Sequence, residues 1–208
     1  MDGIITLVSE YFAGPLGKVE LFATISSLIC VWLATKQNIW TWFFGAVGVI
    51  LFGYLFFQYM LFSNAALQIF FFLPAQLIGY LAWKRQAAEV GETAIQHMSA
   101  MALVNTLLAV LVGTAVIGFL MGTYLGAAWP IADAFITCMS IAAQILMIRK
   151  FIENWGFWLT LDAAAIVVYF AQGLVVTSGL YVIFFFLAAF GGYCWWKQER
   201  LDGVPANA

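Results

Sequence analysis

Asp162 is the one acid near the middle of a long apolar stretch, within ENWGFWLTLDAAAIVVYFAQG at residues 153–173. In hydrocarbon an aspartate costs about 2.5–3.5 kcal/mol on insertion scales, and such residues mark sites of function. At helical spacing, steps of three, four and seven put Trp155, Trp158, Asp162 and Tyr169 on one face. That face offers aromatic planes and a single negative charge. The chemistry it suits is the binding of a flat cation, through stacking, a counter-ion and cation–π attraction of about 0.5–2 kcal/mol per ring. No Lys or Arg lies in the middle of any apolar stretch to neutralise Asp162, which leaves a visiting cation as its natural partner. The competing reading gives the tryptophans to an interfacial belt and bonds Asp162 to a neighbouring helix.

Further polar candidates are Gln76, two residues after Pro74, and Gln144, because hydrocarbon cannot satisfy a primary amide. Asn38 and Trp42 in NIWTW, and Asn154 beside Trp155, complete the candidate binding set. Asp133 follows Pro130 at the start of a span and is expected to cap that helix. Thr137 and Ser140 are expected to bond to their own backbone. Pro74 should break a backbone hydrogen bond and kink its helix. Gly45, Gly48, Gly53, Gly191 and Gly192 read as close-packing positions. Catalysis is not indicated: proteolysis or acyl transfer needs paired aspartates, a serine–histidine pair or a histidine cluster. The only histidine, His97, sits in a polar loop and is expected to be solvated. Cys30, Cys138 and Cys194 lie in apolar stretches without disulfide or metal-ligand spacing, so neither metal nor cofactor is expected.

The elements that must position these groups follow from composition. Hydrophobic residues make up 65% of the 208 positions and charged ones 9%, with a mean hydropathy of +0.99. Soluble domains carry about 25% charged residues, so this chain belongs in a bilayer. A spanning helix needs roughly 20 apolar residues. Seven stretches qualify, at about 20–35, 39–59, 64–83, 101–125, 131–148, 155–173 and 178–196. They do not alternate as barrel strands must. The net charge of −2 gives no electrostatic reason to expect a nucleic-acid partner. Lys36, Lys84, Arg85, Arg149, Lys150, Lys197 and Arg200 fall on one side of the membrane and Lys18 on the other, which predicts an outer N-terminus and a cytoplasmic C-terminus.

The chain also repeats itself. Phe71, Phe72, Gly79, Tyr80, Trp83 and Lys84 answer to Phe184, Phe185, Gly192, Tyr193, Trp196 and Lys197, and Asn38 and Trp42 match Asn154 and Trp158. The predicted fold is all-α and integral to the membrane, with two parallel three-helix repeats joined by a linker helix. The expected division is a segment 1–18, which could lie in the interface, then a first repeat 19–85. A polar loop and linker helix 86–127 lead to a second repeat 128–198 and a cytoplasmic tail 199–208. Duplicated bundles of this kind usually place a substrate between their halves.

The stretches WFFGAVGVILFGYLFFQ, FFFLPAQLIGYLAWKRQ and RKFIENWGFW resemble the PnuC family of vitamin transporters, which take up nicotinamide riboside. The resemblance covers residues from about Val19 to Lys197, and the Trp-x-x-Trp is its most specific part. It implies a three-plus-one-plus-three fold similar to that of the SWEET sugar transporters. It further implies facilitated diffusion of an unphosphorylated vitamin in the bacterial inner membrane, trapping by a cytoplasmic kinase, and a homotrimer. The family's substrate-binding tryptophans fall on Trp155 and Trp158. Two positions depart: Asp162 and Gly191 stand where the nicotinamide riboside pattern has asparagine. A gained charge and a lost ribose-binding amide favour thiamine, with nicotinamide riboside (also a cation) as the alternative and riboflavin after it. A retinal receptor would need a lysine in the middle of the last span, whereas Lys197 lies at its end. An ion channel would be revealed by conductance.

Overall fold

The structure, a computed structural model, describes residues 14–60, 62–89, 95–124, 129–173 and 175–202. The expected segment 1–18 lies mostly outside them, and its last residues already belong to the first helix. That helix, α1, spans Pro15–Thr35, and α2 spans Trp40–Gln58. α3 is built from three consecutive pieces, Phe62–Leu67, Gln68–Phe72 and Leu73–Glu89. α4 covers Ala100–Tyr124, α5 Pro130–Ile148, α6 Asn154–Ala171 and α7 Val175–Asp202. Among the described residues, seven helices are long and apolar enough to cross a membrane. α3 and α7 outrun the apolar stretches, because backbone hydrogen bonding continues after the side chains turn polar at Lys84 and Lys197.

The chain divides into two compact units, Met1–Arg85 and Gln86–Ala208. In the first, α1 packs on α2 and α2 on α3; in the second, α4, α5, α6 and α7 pack each on the next. The second unit's core joins Ile136, Met139, Ala143 and Leu146 of α5 to Phe157, Leu161 and Ala165 of α6.

The same connections are used in both units. Gln37 and Lys150, 113 positions apart, both adopt the left-handed conformation, with φ of 51° and 55°. Around them the hydrogen bonds coincide. Gln37 N donates to Ala34 O and Asn38 N to Leu33 O; Lys150 N donates to Met147 O and Phe151 N to Leu146 O. The next turn repeats at the same offset, with Met60 and Gly173 at φ of 59° and 79°. This fixes a register different from the sequence match. Trp42 corresponds to Trp155, not Trp158, and the position of Trp158 is taken in the first unit by Gly45.

Side-chain packing agrees. Trp42 stands edge-on to Trp83, with ring centroids 5.1 Å apart, and Trp155 edge-on to Trp195 at 5.6 Å. A Cβ on Gly79 would lie 2.2 Å from the Trp42 ring, and one on Gly191 2.4 Å from the Trp155 ring. Gly79 therefore pairs with Gly191 and Trp83 with Trp195, at an offset of 112. The Gly-Gly and Trp-Trp doublets of α7 make either register readable from letters alone, and burial decides between them. Trp195 is fully buried, whereas Trp196 is exposed beneath Arg200.

The slip from 113 to 112 falls across the start of α3. There Leu73 N donates to Gln68 O, five residues back, so that Gln68–Phe72 form a π-turn. Pro74 follows at once. Its ring would collide with the carbonyl four residues earlier, and it has no N–H to give; a widened turn upstream accommodates both defects. The kink expected at Pro74 is thus expressed as this turn.

Candidate functional site

α6 leaves the turn at Lys150 with an acidic and an amide residue in hand. Glu153 flanks its start without bonding back to its own helix. Asn154, fully buried, donates from Nδ2 to Phe151 O at 2.6 Å, which ties the helix start to the turn. Its Oδ1 is buried and has no hydrogen-bond partner among the described residues.

One turn on, the two tryptophans part company. Trp155 is 3% exposed and wedged between Gly191 and Trp195 of α7. Trp158 is half-buried and packs beside the second unit's core. The indole Nε1 of each is buried, and neither has a partner among the described residues. A buried donor left unpaired costs about 1–3 kcal/mol, so such groups call for a reason.

Asp162 lies a further turn along, 3% exposed. No described residue supplies it with a hydrogen bond or an ion pair. On α7, Tyr181 packs its ring against that of Tyr169 on α6. The two phenol rings are 5.2 Å apart at 36°. Sequence reasoning missed Tyr181, since nothing in its immediate neighbours marks it. The capping role expected of Asp133 is not observed, because α5 starts after Trp129 without a side-chain cap. Asp133 stands too far into the first turn to reach the free amides. Ser140 Oγ donates to Thr137 O at 2.8 Å within α5.

Gln144, on α5, is 7% exposed and makes no hydrogen bond with a described residue. A groove between α4 and α5, lined by Leu111, Thr114, Trp129, Pro130 and Phe135, includes none of the candidate residues.

The remaining candidates belong to the first unit. Asn38 is exposed, and its Oδ1 accepts the Trp40 N–H at 3.0 Å, the bond of a helix start. Trp42 is 3% exposed with an unpartnered Nε1, as at Trp155. Gln76 is 6% exposed and lies over Gly45, where a Cβ would come 2.4 Å from its Oε1. Thus at the place where the second unit carries Trp158, the first carries a glycine covered by an amide.

His97 is not simply solvated. Its Nδ1 is 3.4 Å from Glu153 Oε1, and its Nε2 contacts Glu199 Oε1. The hydrogen bond to Glu199, with the charges of Glu199 and Glu153, raises its pKa above the ordinary histidine value against partial desolvation.

The chain matches the nicotinamide mononucleotide transporter family over residues 17–197. It is 32% identical over 216 residues to the nicotinamide riboside transporter PnuC of Escherichia coli (strain K12), covering 92% of this chain and 90% of that protein. It is 28% identical over 190 residues to the riboflavin/roseoflavin transporter RibM of Streptomyces davaonensis, with 89% and 88% covered. The crystal structure of the vitamin B3 transporter PnuC superposes with a TM-score of 0.73 at 25% identity, covering 96% of this chain and 88% of that one.

Proposed function

The chain belongs to the nicotinamide mononucleotide transporter family, multi-pass membrane transporters and not enzymes, and on that premise we propose that it carries nicotinamide riboside by facilitated diffusion. The observation that carries a cationic substrate is the state of Asp162: a carboxyl 3% exposed, with no hydrogen bond or ion pair from any described residue. Trp158, four residues before it, presents an unpaired indole N–H. A pyridinium nucleoside supplies what is missing, a positive ring to stack and pair, and hydroxyls to accept or donate. The names of the curated relatives support nicotinamide riboside more than thiamine.

Thiamine, favoured by the sequence, now rests on half of its argument. Gly191 stands where the family pattern has an amide, but the Trp155 ring occupies the space any side chain there would need. The absence of a side chain at 191 has a packing cause. Asp162 alone still speaks for a second cation such as thiamine, and it does not discriminate between the two.

The remainder of the proposal concerns setting. The repeats form a three-plus-one-plus-three arrangement with the C-terminus in the cytoplasm, where seven of the eight basic residues would lie. A kinase traps the vitamin there as its phosphate, and the protein assembles as a trimer. Calorimetry of the purified protein with nicotinamide riboside, thiamine and riboflavin tests the reading. Nicotinamide riboside should bind, and Asp162→Asn should weaken it at least tenfold. Equal affinity in the two proteins removes the counter-ion role, and binding of riboflavin alone overturns the substrate.

A further inference from the structure

His97 joins three segments of the second unit at the start of the helix that carries the candidate site. Gln96 N donates to Lys150 O at 2.9 Å and Ile152 N to Gln96 O at 3.0 Å, a short parallel bridge. Met98 N donates to Glu153 Oε1 at 3.1 Å, the same oxygen that lies 3.4 Å from His97 Nδ1. The other ring nitrogen meets Glu199 of α7. Glu199 stands four residues after Trp195, one turn along the same face of α7. Glu153 stands two residues before Trp155. The Trp155–Trp195 contact and the Glu153–His97–Glu199 bridge thus both tie the start of α6 to α7. At the corresponding positions α2 and α3 have Trp40 and Ala87, and so lack the carboxylates for such a bridge.

We propose that His97 is a positioning residue for transport: bridging Glu153 and Glu199, it holds the start of α6 against α7 and so sets Trp155 and Trp158 for the substrate. The inference rests on the assignment of the substrate contacts to α6. The charges acting on the ring are those of Glu199 and Glu153. Of the other charged groups nearby, Lys150 is buried in the adjoining turn and Arg200 lies over the Trp196 ring. Because both carboxylates favour the protonated ring, the bridge is complete at low pH and is lost as pH rises through the raised histidine value.

The test uses full-length protein in detergent, wild type, His97→Gln and His97→Arg, with nicotinamide riboside binding followed by tryptophan fluorescence between pH 6 and 8.5. Wild-type affinity should fall several-fold towards the alkaline end. His97→Gln should be weak throughout and lose the histidine-dependent part of the profile. His97→Arg, which keeps the charge at every pH, should retain the low-pH affinity and flatten the curve. In parallel, amide hydrogen exchange over residues 154–158 without ligand should accelerate in His97→Gln and not in His97→Arg. Wild-type profile and wild-type exchange in His97→Gln overturn the proposal. Failure of wild type to bind the probe overturns the substrate reading instead, and the exchange measurement then still decides the role of His97.

Discussion

The six-membered ring of Trp155 fills the volume that a side chain at Gly191 would occupy, 2.4 Å from where its Cβ would stand. The first unit contains the same relationship between Trp42 and Gly79, at 2.2 Å. These indoles are rigid, and the helix backbone behind each glycine cannot retreat without separating the helices.

Alanine at either glycine should therefore destabilise the protein by about 1–3 kcal/mol, the usual cost of overpacking. Thermal unfolding of the purified protein checks this, with Gly156→Ala as the reference. Nothing lies within 4 Å of a Cβ at Gly156, and that variant should unfold at or slightly above the wild-type temperature.

Gly45→Ala should be milder than Gly79→Ala. Its Cβ would meet the Gln76 amide, the far end of a flexible side chain, and next the Cys30 sulfur at 3.1 Å. If Gln76 contributes to binding, the displaced amide should lower affinity while the melting temperature changes little. A melting temperature as low as that of Gly79→Ala would contradict this ranking.

Trp155 and Trp158 should respond differently to replacement by phenylalanine. Trp155 is locked between Gly191 and Trp195, so Trp155→Phe leaves a void and should lower stability first. Trp158 is half-buried beside Asp162, so Trp158→Phe should lower affinity first, by about 2- to 30-fold for a cation–π contact of about 0.5–2 kcal/mol. Paired calorimetry and thermal melts separate the two. Loss of fluorescence quenching on ligand addition in Trp158→Phe would mark it as the reporting indole.

Tyr181→Phe keeps the ring that packs against Tyr169 and removes only the hydroxyl. Binding should weaken about two- to tenfold, the range of one hydrogen bond of about 0.5–1.5 kcal/mol. An unchanged dissociation constant would remove Tyr181 from the site.

The spans and their number were legible because hydrocarbon leaves no other use for seven runs of this length and composition. The isolation of Asp162 was legible for the same reason, since an unneutralised acid is visible in the letters themselves. The register of the repeat was not. The doublets Gly191-Gly192 and Trp195-Trp196 match their counterparts equally well one step apart, and only burial distinguishes them. The bridging role of His97, which is also exposed to solvent, was not legible because its partners are remote in the chain, Glu199 being 102 residues away. Only folding brings that carboxylate to a loop that looked merely polar. Tyr181 shares this origin: its ring meets Tyr169 of another helix.

A residue added to an ordinary α-helix turns everything beyond it by about 100°, one step of the 3.6-residue winding. Had the extra residue at the head of α3 been absorbed that way, Gly79 would face elsewhere and Trp42 would have no slot to enter. The five-residue loop of backbone at Gln68–Phe72 stores the surplus locally. It absorbs the one-residue difference in spacing between the two units without disturbing the fit downstream.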